Sequence, residues 1–376
     1  MVRVAWAPRR FDAPSKLSVS FDARILTGQS ERIPHPASRI SHPASRIPPH
    51  VNQFQTVLQA VLPVFSVAAI GFVIRRRNLI SDETERNLLD VLINVFVPCL
   101  IFVSVLGNEA LLNVRNVALA PLCGFCAIAL GLAVGRATAG IAGIESQRSR
   151  RAFATCMGIF NWGYVPLPLA ASLFGQKTVG VLFVFITGAE MAVWTLGLMT
   201  LRGGSIKNGL RKALNAPFFT IVVTLSLNFL LGADRAHSIA NDETGGFAFV
   251  MKTAGMLGQC AIPIGLILVG ASLADKLSEF RSAISPRIMG SAVALRLGLM
   301  GFLFVLLARF VPGSDELTQV LLIQSAMPSA MFPIILAKRY DGDVVCALQV
   351  VIATTLVSLV TIPLWIPFWM SRVGLQ

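Results

Sequence analysis

Charge is scarce in this sequence. Charged residues make up 14 % of the 376 positions, against 55 % hydrophobic, whereas a soluble domain carries about a quarter charged. That scarcity excludes an ordinary soluble globule and points to a polytopic membrane protein of one membrane domain. Catalytic signatures are absent too. No HExxH, GxSxG or phosphate-loop pattern occurs, so no enzyme reading is supported. The four histidines, His35, His42, His50 and His237, fall outside the apolar segments, which leaves no metal cluster and implies no cofactor. Cys123 and Cys126 have redox or metal spacing. No second pair accompanies them, and the six cysteines all lie in or beside apolar segments, as helix-packing residues do. The N-terminus has no apolar core of a secretory signal.

The net charge of +13 suggests nucleic acid at first sight. However, the Arg and Lys sit in short loops between apolar segments, without a compact basic patch, so no nucleic-acid partner is expected. Ten spans can be read, near 55–74, 88–106, 117–135, 152–175, 179–201, 213–232, 248–273, 288–311, 317–337 and 344–370. Alternate loops are basic. Arg75, Arg76, Arg77 and Arg86 lie between spans 1 and 2, Arg136, Arg148, Arg150 and Arg151 between 3 and 4, and Arg202, Lys207, Arg211 and Lys212 between 5 and 6. Lys276, Arg281 and Arg287 follow span 7, and Lys338 and Arg339 follow span 9. The positive-inside rule then makes those loops cytoplasmic and places both termini outside an inner (plasma) membrane.

Residues 1–50 are Pro-, Ser- and Arg-rich, with the near-repeat RIPHPAS, RISHPAS, RIPPH. Two readings are open: a disordered extension, or upstream sequence translated from a mistaken start, since Val51 is what an internal GUG codon would encode. The transporter domain is then 51–376.

Two spans are poor helices. FATCMGIFNWGYVPLPLAASLFG, residues 153–175, carries Gly158, Asn161, Gly163, Tyr164, Pro166 and Pro168 in its middle. The two prolines lack donors and push the preceding residues out of the α region. A break at membrane depth exposes backbone N–H and C=O groups that lipid cannot satisfy. LTQVLLIQSAMPSAMFPIILAK, residues 317–338, has Gln324, Ser325, Pro328, Ser329 and Pro333 in the matching place. A lone interrupted helix could be a Pro kink. Two in corresponding positions are the best sequence pointer to a transporter binding site. Span 2, around Pro98, matches span 7, around Pro263. The offset is five spans, an odd number, so the halves 55–201 and 213–370 would form an inverted repeat. The expected fold is therefore all-α: ten transmembrane helices in two inverted five-helix repeats.

Exposed N–H groups and half-helix N-termini suit a carboxylate, and Asn161, Tyr164, Gln324, Ser325 and Ser329 can add neutral hydrogen bonds. Their alternative task is to satisfy the freed carbonyls. Nearly all spans have no charge in their interior, and Glu190 and Arg296 are the exceptions. Such residues default to a functional reading: Glu190 as a proton-coupling carboxylate, Arg296 as an attractor of anions. A mutual ion pair, or a snorkelling Arg, is the structural alternative. Met327 and Met331 read as pocket packing, and Trp162 as a cavity wall or a packing residue.

These motifs together resemble the auxin efflux carrier family of membrane transport proteins, over roughly 55–370. The resemblance rests on LPVFSVAAIGFVIRRRNLI, VPCLIF, FNWGYVPLPLA, APFFTIVVTLSLNFLLG, IPIGLILVGASL, ALRLGL and QSAMPSAMFPIILAKRY, in that order. It implies helices 4 and 9 broken and crossing at Pro166 and Pro328, a small organic anion (carboxylate or dicarboxylate) bound there beside Asn161, and elevator-like alternating access across the cytoplasmic membrane. It also implies a homodimer. The loop of about a dozen residues between spans 5 and 6 resembles bacterial members and argues against auxin itself as substrate. Two readings compete. A sodium-coupled bile-acid-type symporter would need a richer ligand cluster than Asn161, Gln324 and Gln259. A non-transporting sensor would need an output domain, and no loop is long enough to fold as one.

Overall fold

The computed structural model describes residues 49–202, 206–242, 244–281 and 284–374. The reading of residues 1–50 therefore lies outside the described residues, but for the last two. Among the described residues the fold is helical without a named strand. Seven helices are long and apolar enough to cross a membrane. They are α1 (Pro49–Arg76), α2 (Asp82–Val105), α3 (Val114–Thr138), α6 (Gln176–Leu201), α10 (Ala248–Ala274), α11 (Pro286–Phe310) and α14 (Val344–Val373). Between them lie short helices: α4 (Gln147–Gly158), α5 (Pro166–Leu173), α7 (Ile206–Ala213), α8 (Ala216–Leu231), α9 (Ala233–Ala240), α12 (Asp315–Ser325) and α13 (Phe332–Arg339). Segments 153–175 and 317–338 are thus helix pairs, α4 with α5 and α12 with α13. Helix α7, in the loop after α6, was not anticipated.

Helix ends follow local chemistry. Ser81, Asn113, Ser146, Asn215, Ser314 and Asp343 each cap an N-terminus through the side chain. Three helices carry a π-helical turn: Leu92–Phe96 in α2, Val193–Gly197 in α6 and Ala294–Met300 in α11. Such turns often mark functional sites.

Small residues bring the long helices together. Gly270 of α10 lies against the Ala68 carbonyl of α1, and Gly188 of α6 against the Pro121 carbonyl of α3. A Cβ at Gly188 would collide with that carbonyl, and backbone cannot swing aside. We expect Gly188→Val to part α3 from α6 and lose ~1–3 kcal/mol or more. Thermal unfolding in detergent would read this as a clear drop in melting temperature.

Contacts sort the connections onto two faces. On one, Arg148 pairs with Asp341 at 2.7 Å, the Ser149 hydroxyl donates to Asp343 at 2.6 Å, and Lys212 Nζ donates to the Tyr340 hydroxyl at 2.6 Å. On the other, the Gly107 N–H donates to Asn228 Oδ1 at 2.9 Å, and Asn108 Nδ2 donates to the Gln176 carbonyl at 2.9 Å. There Lys177 meets Glu109 at 2.5 Å, a hydrogen bond that holds this exposed carboxylate below its usual range. The first face collects the Arg/Lys-rich connections.

The crossing of two broken segments

The sequence places prolines at the two breaks; the structure puts the first unwinding before its prolines and the second around Pro328. Helix α4 ends at Gly158, and Ile159 is extended (φ −92°, ψ 96°). Helix α5 restarts at Pro166, with both Pro166 and Pro168 in its first turn. A proline is harmless there, because those N–H groups have no intrahelical partner. Val165, expected outside the α region because it precedes Pro166, is nevertheless αR (φ −88°, ψ −45°). The prolines therefore start the second half-helix. Pro333 does the same for α13, while Pro328 lies in the extended stretch between α12 and α13.

The two extended stretches pair with each other. Phe160 and Ser329 form an antiparallel β-bridge. The Asn161 N–H donates to the Pro328 carbonyl at 2.8 Å, and the Ala330 N–H donates to the Ile159 carbonyl at 3.0 Å. Four backbone groups that lipid would leave bare thus satisfy one another.

Side chains close most of the remaining account. Ser329 Oγ donates to the Cys156 carbonyl at 2.8 Å, and its N–H donates to Thr354 Oγ1 at 3.2 Å. Gln324 Nε2 donates to the Trp162 carbonyl at 3.0 Å. Ser325 Oγ donates to the Leu322 carbonyl at 2.6 Å and accepts from Trp365 Nε1 at 2.9 Å. Arg296, fully buried in the π-helical turn of α11, donates from Nε to the Met327 carbonyl at 2.9 Å and from Nη2 to the Gln324 carbonyl at 3.3 Å. Its guanidinium lies 4.4 Å from the Phe160 ring centroid and 5.4 Å from that of Phe304, two cation–π contacts with rings that are edge-on to each other. Two buried polar atoms stay without a partner beside the break, Arg296 Nη1 and Gln324 Oε1.

The expected residues therefore divide. Gln324, Ser325, Pro328, Ser329 and Arg296 are buried and hold the crossing together. Asn161 and Tyr164 are half-buried, as are Trp162 and Gly163. The Asn161 amide and the Tyr164 hydroxyl make no hydrogen bond among the described residues. The Tyr164 ring packs on Gly265 of α10, linking the first break to that helix. Trp162 stands edge-on to Phe160 at 6.2 Å. Pro166 is buried at the start of α5.

Glu190 makes none of the hydrogen bonds at the crossing. It is half-buried on α6, and its Oε2 accepts from Asn215 Nδ2, the cap of α8, at 3.2 Å. Arg296 makes no ion pair among the described residues, so neither the mutual pair nor a snorkelling Arg is found. Phe160, Thr354, Trp365 and Asn215 also serve these contacts. Nothing in the sequence marked Phe160.

The family described as membrane transport protein matches residues 56–215 and again 216–366. An uncharacterized transporter of Methanothermobacter thermautotrophicus is 26 % identical over 325 residues, covering 83 % of this chain and 98 % of the relative. One of Methanocaldococcus jannaschii is 22 % identical over 321 residues, covering 82 % and 97 %.

Proposed function

We infer, from the premise that this chain belongs to the membrane transport protein family, that it is a secondary transporter of a small organic anion whose site is the crossing. That the chain is a membrane transporter follows from the family. The anion, the route and the residues are our reading. The observation that carries it is the mutual pairing of two interrupted segments, with Asn161 to Tyr164 half-open beside a buried polar cluster. Unwound backbone of this kind occurs at membrane depth only within protein or beside a cavity.

Ten passages in two inverted halves fit the neighbour relations. Helix α1 packs on α10 as α2 packs on α8, α3 on α4 as α11 on α12, and α4 on α14 as α12 on α6. Each pair maps onto its counterpart by the same offset of five passages. The two-faced sorting of connections supports a crossing by both broken segments and an even number of passages. The family match divides at 215/216, between the proposed halves. The basic face would be cytoplasmic, and an elevator-like movement would carry the crossing from one side to the other.

Asn161 and Tyr164 would offer neutral hydrogen bonds to a carboxylate. The half-helices α5 and α13 point their N-terminal ends out of the two breaks, where an anion is favoured. Gln324, with its free Oε1, lies behind Trp162 and would be reached as the crossing opens. Ser325, Ser329, Pro328 and Arg296 would fix the frame.

The test is uptake into proteoliposomes of labelled mono- and dicarboxylates, under an imposed potential, pH gradient or sodium gradient. Saturable uptake of a carboxylate supports the reading. No uptake of any carboxylate removes the anion assignment.

Glu190 gives a separable prediction. Glu190→Gln keeps an acceptor for Asn215 but cannot exchange a proton. If Glu190 couples transport to protons, uptake driven by a pH gradient falls to background, while counterflow at equal pH stays near wild type. Unchanged pH-driven uptake would rule Glu190 out as the coupling group.

A further inference from the structure

A second site lies away from the crossing, on the basic face. The last turns of α3, the start of α4 and the end of α6 flank an open groove of about 440 Å³. Leu132, Ala133, Leu196 and Met199 form its apolar wall, and Arg136 and Arg151 contribute the two guanidinium groups. Ala133, Met199 and both arginines are exposed. Leu122 and Leu130 of α3 are exposed as well, so α3 also turns apolar residues outward, toward what would be hydrocarbon.

The two arginines are under-compensated. Neither forms an ion pair among the described residues, and Arg151 has only a long contact, 3.5 Å, from Nη1 to the Leu201 carbonyl. Its neighbours are already engaged, Arg148 by Asp341 and Arg150 Nε by the Ile144 carbonyl at 2.8 Å. The first turn of α4 holds no acid, whereas α12, which occupies the same place in the second half, opens with Asp315 and Glu316. The sequence that follows α6, 202–215, adds Arg202, Lys207, Arg211 and Lys212 and no carboxylate.

A soluble anion would have no use for the apolar wall, and a zwitterionic lipid would bring its own cation against the arginines. We propose that this groove binds an anionic phospholipid. The phosphate sits between Arg136 and Arg151, and an acyl chain lies along Leu132, Ala133, Leu196 and Met199. Basic pockets between helices at a membrane interface are suited to such headgroups, and guanidinium–phosphate hydrogen bonds are charge-assisted. The lipid would clamp α4, the helix that leads into the first break, to α3 and α6. The proposal does not depend on the transported solute.

The experiment is native mass spectrometry of the full chain purified in detergent, with phosphatidylglycerol and phosphatidylcholine competing. Wild type should retain phosphatidylglycerol preferentially. R136Q/R151Q should lower that preference about tenfold or more, and Arg77→Gln, at the exposed end of α1, should leave it unchanged. Ala133→Trp fills the groove without touching a charge and should abolish retention too, which keeps the test alive if the double variant misfolds. Undiminished preference in R136Q/R151Q, or in A133W, overturns the proposal. Displacement of the lipid by millimolar glycerol 3-phosphate also overturns it, because the site would then be one for free phosphate monoesters.

Discussion

Replacing Arg296 by methionine should destabilise the protein by about 2–4 kcal/mol, although it removes a buried charge. Exchanging a buried ion pair for apolar residues is often harmless, because both polar partners leave together. Here the partners are the Met327 and Gln324 carbonyls, which belong to the backbone and stay. The stranded Met327 carbonyl costs ~1–3 kcal/mol, the Gln324 carbonyl keeps the Met327 N–H at 3.3 Å, and the cation–π contacts with Phe160 and Phe304 go with the guanidinium. Lysine should not rescue fully, since one ammonium cannot reproduce the planar fork that serves two carbonyls at once. Thermal unfolding should rank wild type above Arg296→Lys and Arg296→Lys above Arg296→Met, with lysine nearer methionine if the fork matters. Wild-type stability in Arg296→Met would mean that the break holds without its guanidinium.

The second large effect is at Asn161, where backbone and side chain have different tasks. The backbone N–H pairs with Pro328 and the side chain projects from a half-open surface. Asn161→Ala preserves the first and deletes the second. Uptake should fall about ten- to a hundredfold, the loss of one hydrogen bond to a charged ligand, with little change in melting temperature. Asn161→Pro deletes the N–H and should damage folding as well as uptake. Pro166→Ala belongs with the milder class. The helix still begins there, but Pro166 no longer fixes φ at its first residue, so weakened uptake with intact membrane insertion is expected. Wild-type rates in both Asn161→Ala and Pro166→Ala would remove the crossing as the solute site.

What could be read beforehand is what composition and proline placement encode. The apolar runs, the two interrupted spans and the polar set around them are one-dimensional features. Gln324, Ser325, Ser329 and Arg296 were flagged because polar residues at membrane depth need a reason. Their division of labour could not be read, because it depends on which carbonyl each one meets. Arg296 looks the same in sequence whether it faces an anion or, as here, two backbone oxygens of a segment 28 and 31 positions away. The pairing of Phe160 with Ser329 had no residue-level signal: the breaks were expected to cross, but Phe160 is ordinary for a membrane helix and nothing tied it to Ser329. The position of unwinding was misjudged because proline is read as a breaker, when at Pro166 it sits where a helix begins. Glu190 stands out in the sequence as a charge inside a span, but nothing there pairs it with Asn215, the cap of a different helix.

The bridge between residues 160 and 329 also sets a schedule. A ribosome reaches Ala330 roughly ten to thirty seconds after Asn161, at about 5–20 residues per second. Throughout that interval the Ile159 carbonyl and the Asn161 N–H have no partner from the second half of the chain. The first half must therefore wait, with its unwound stretch wet or chaperoned, and can settle at full membrane depth only once the second half arrives. Each half made alone should be an unstable insert for the same reason, and the two synthesised together from separate messages should recover what either lacks.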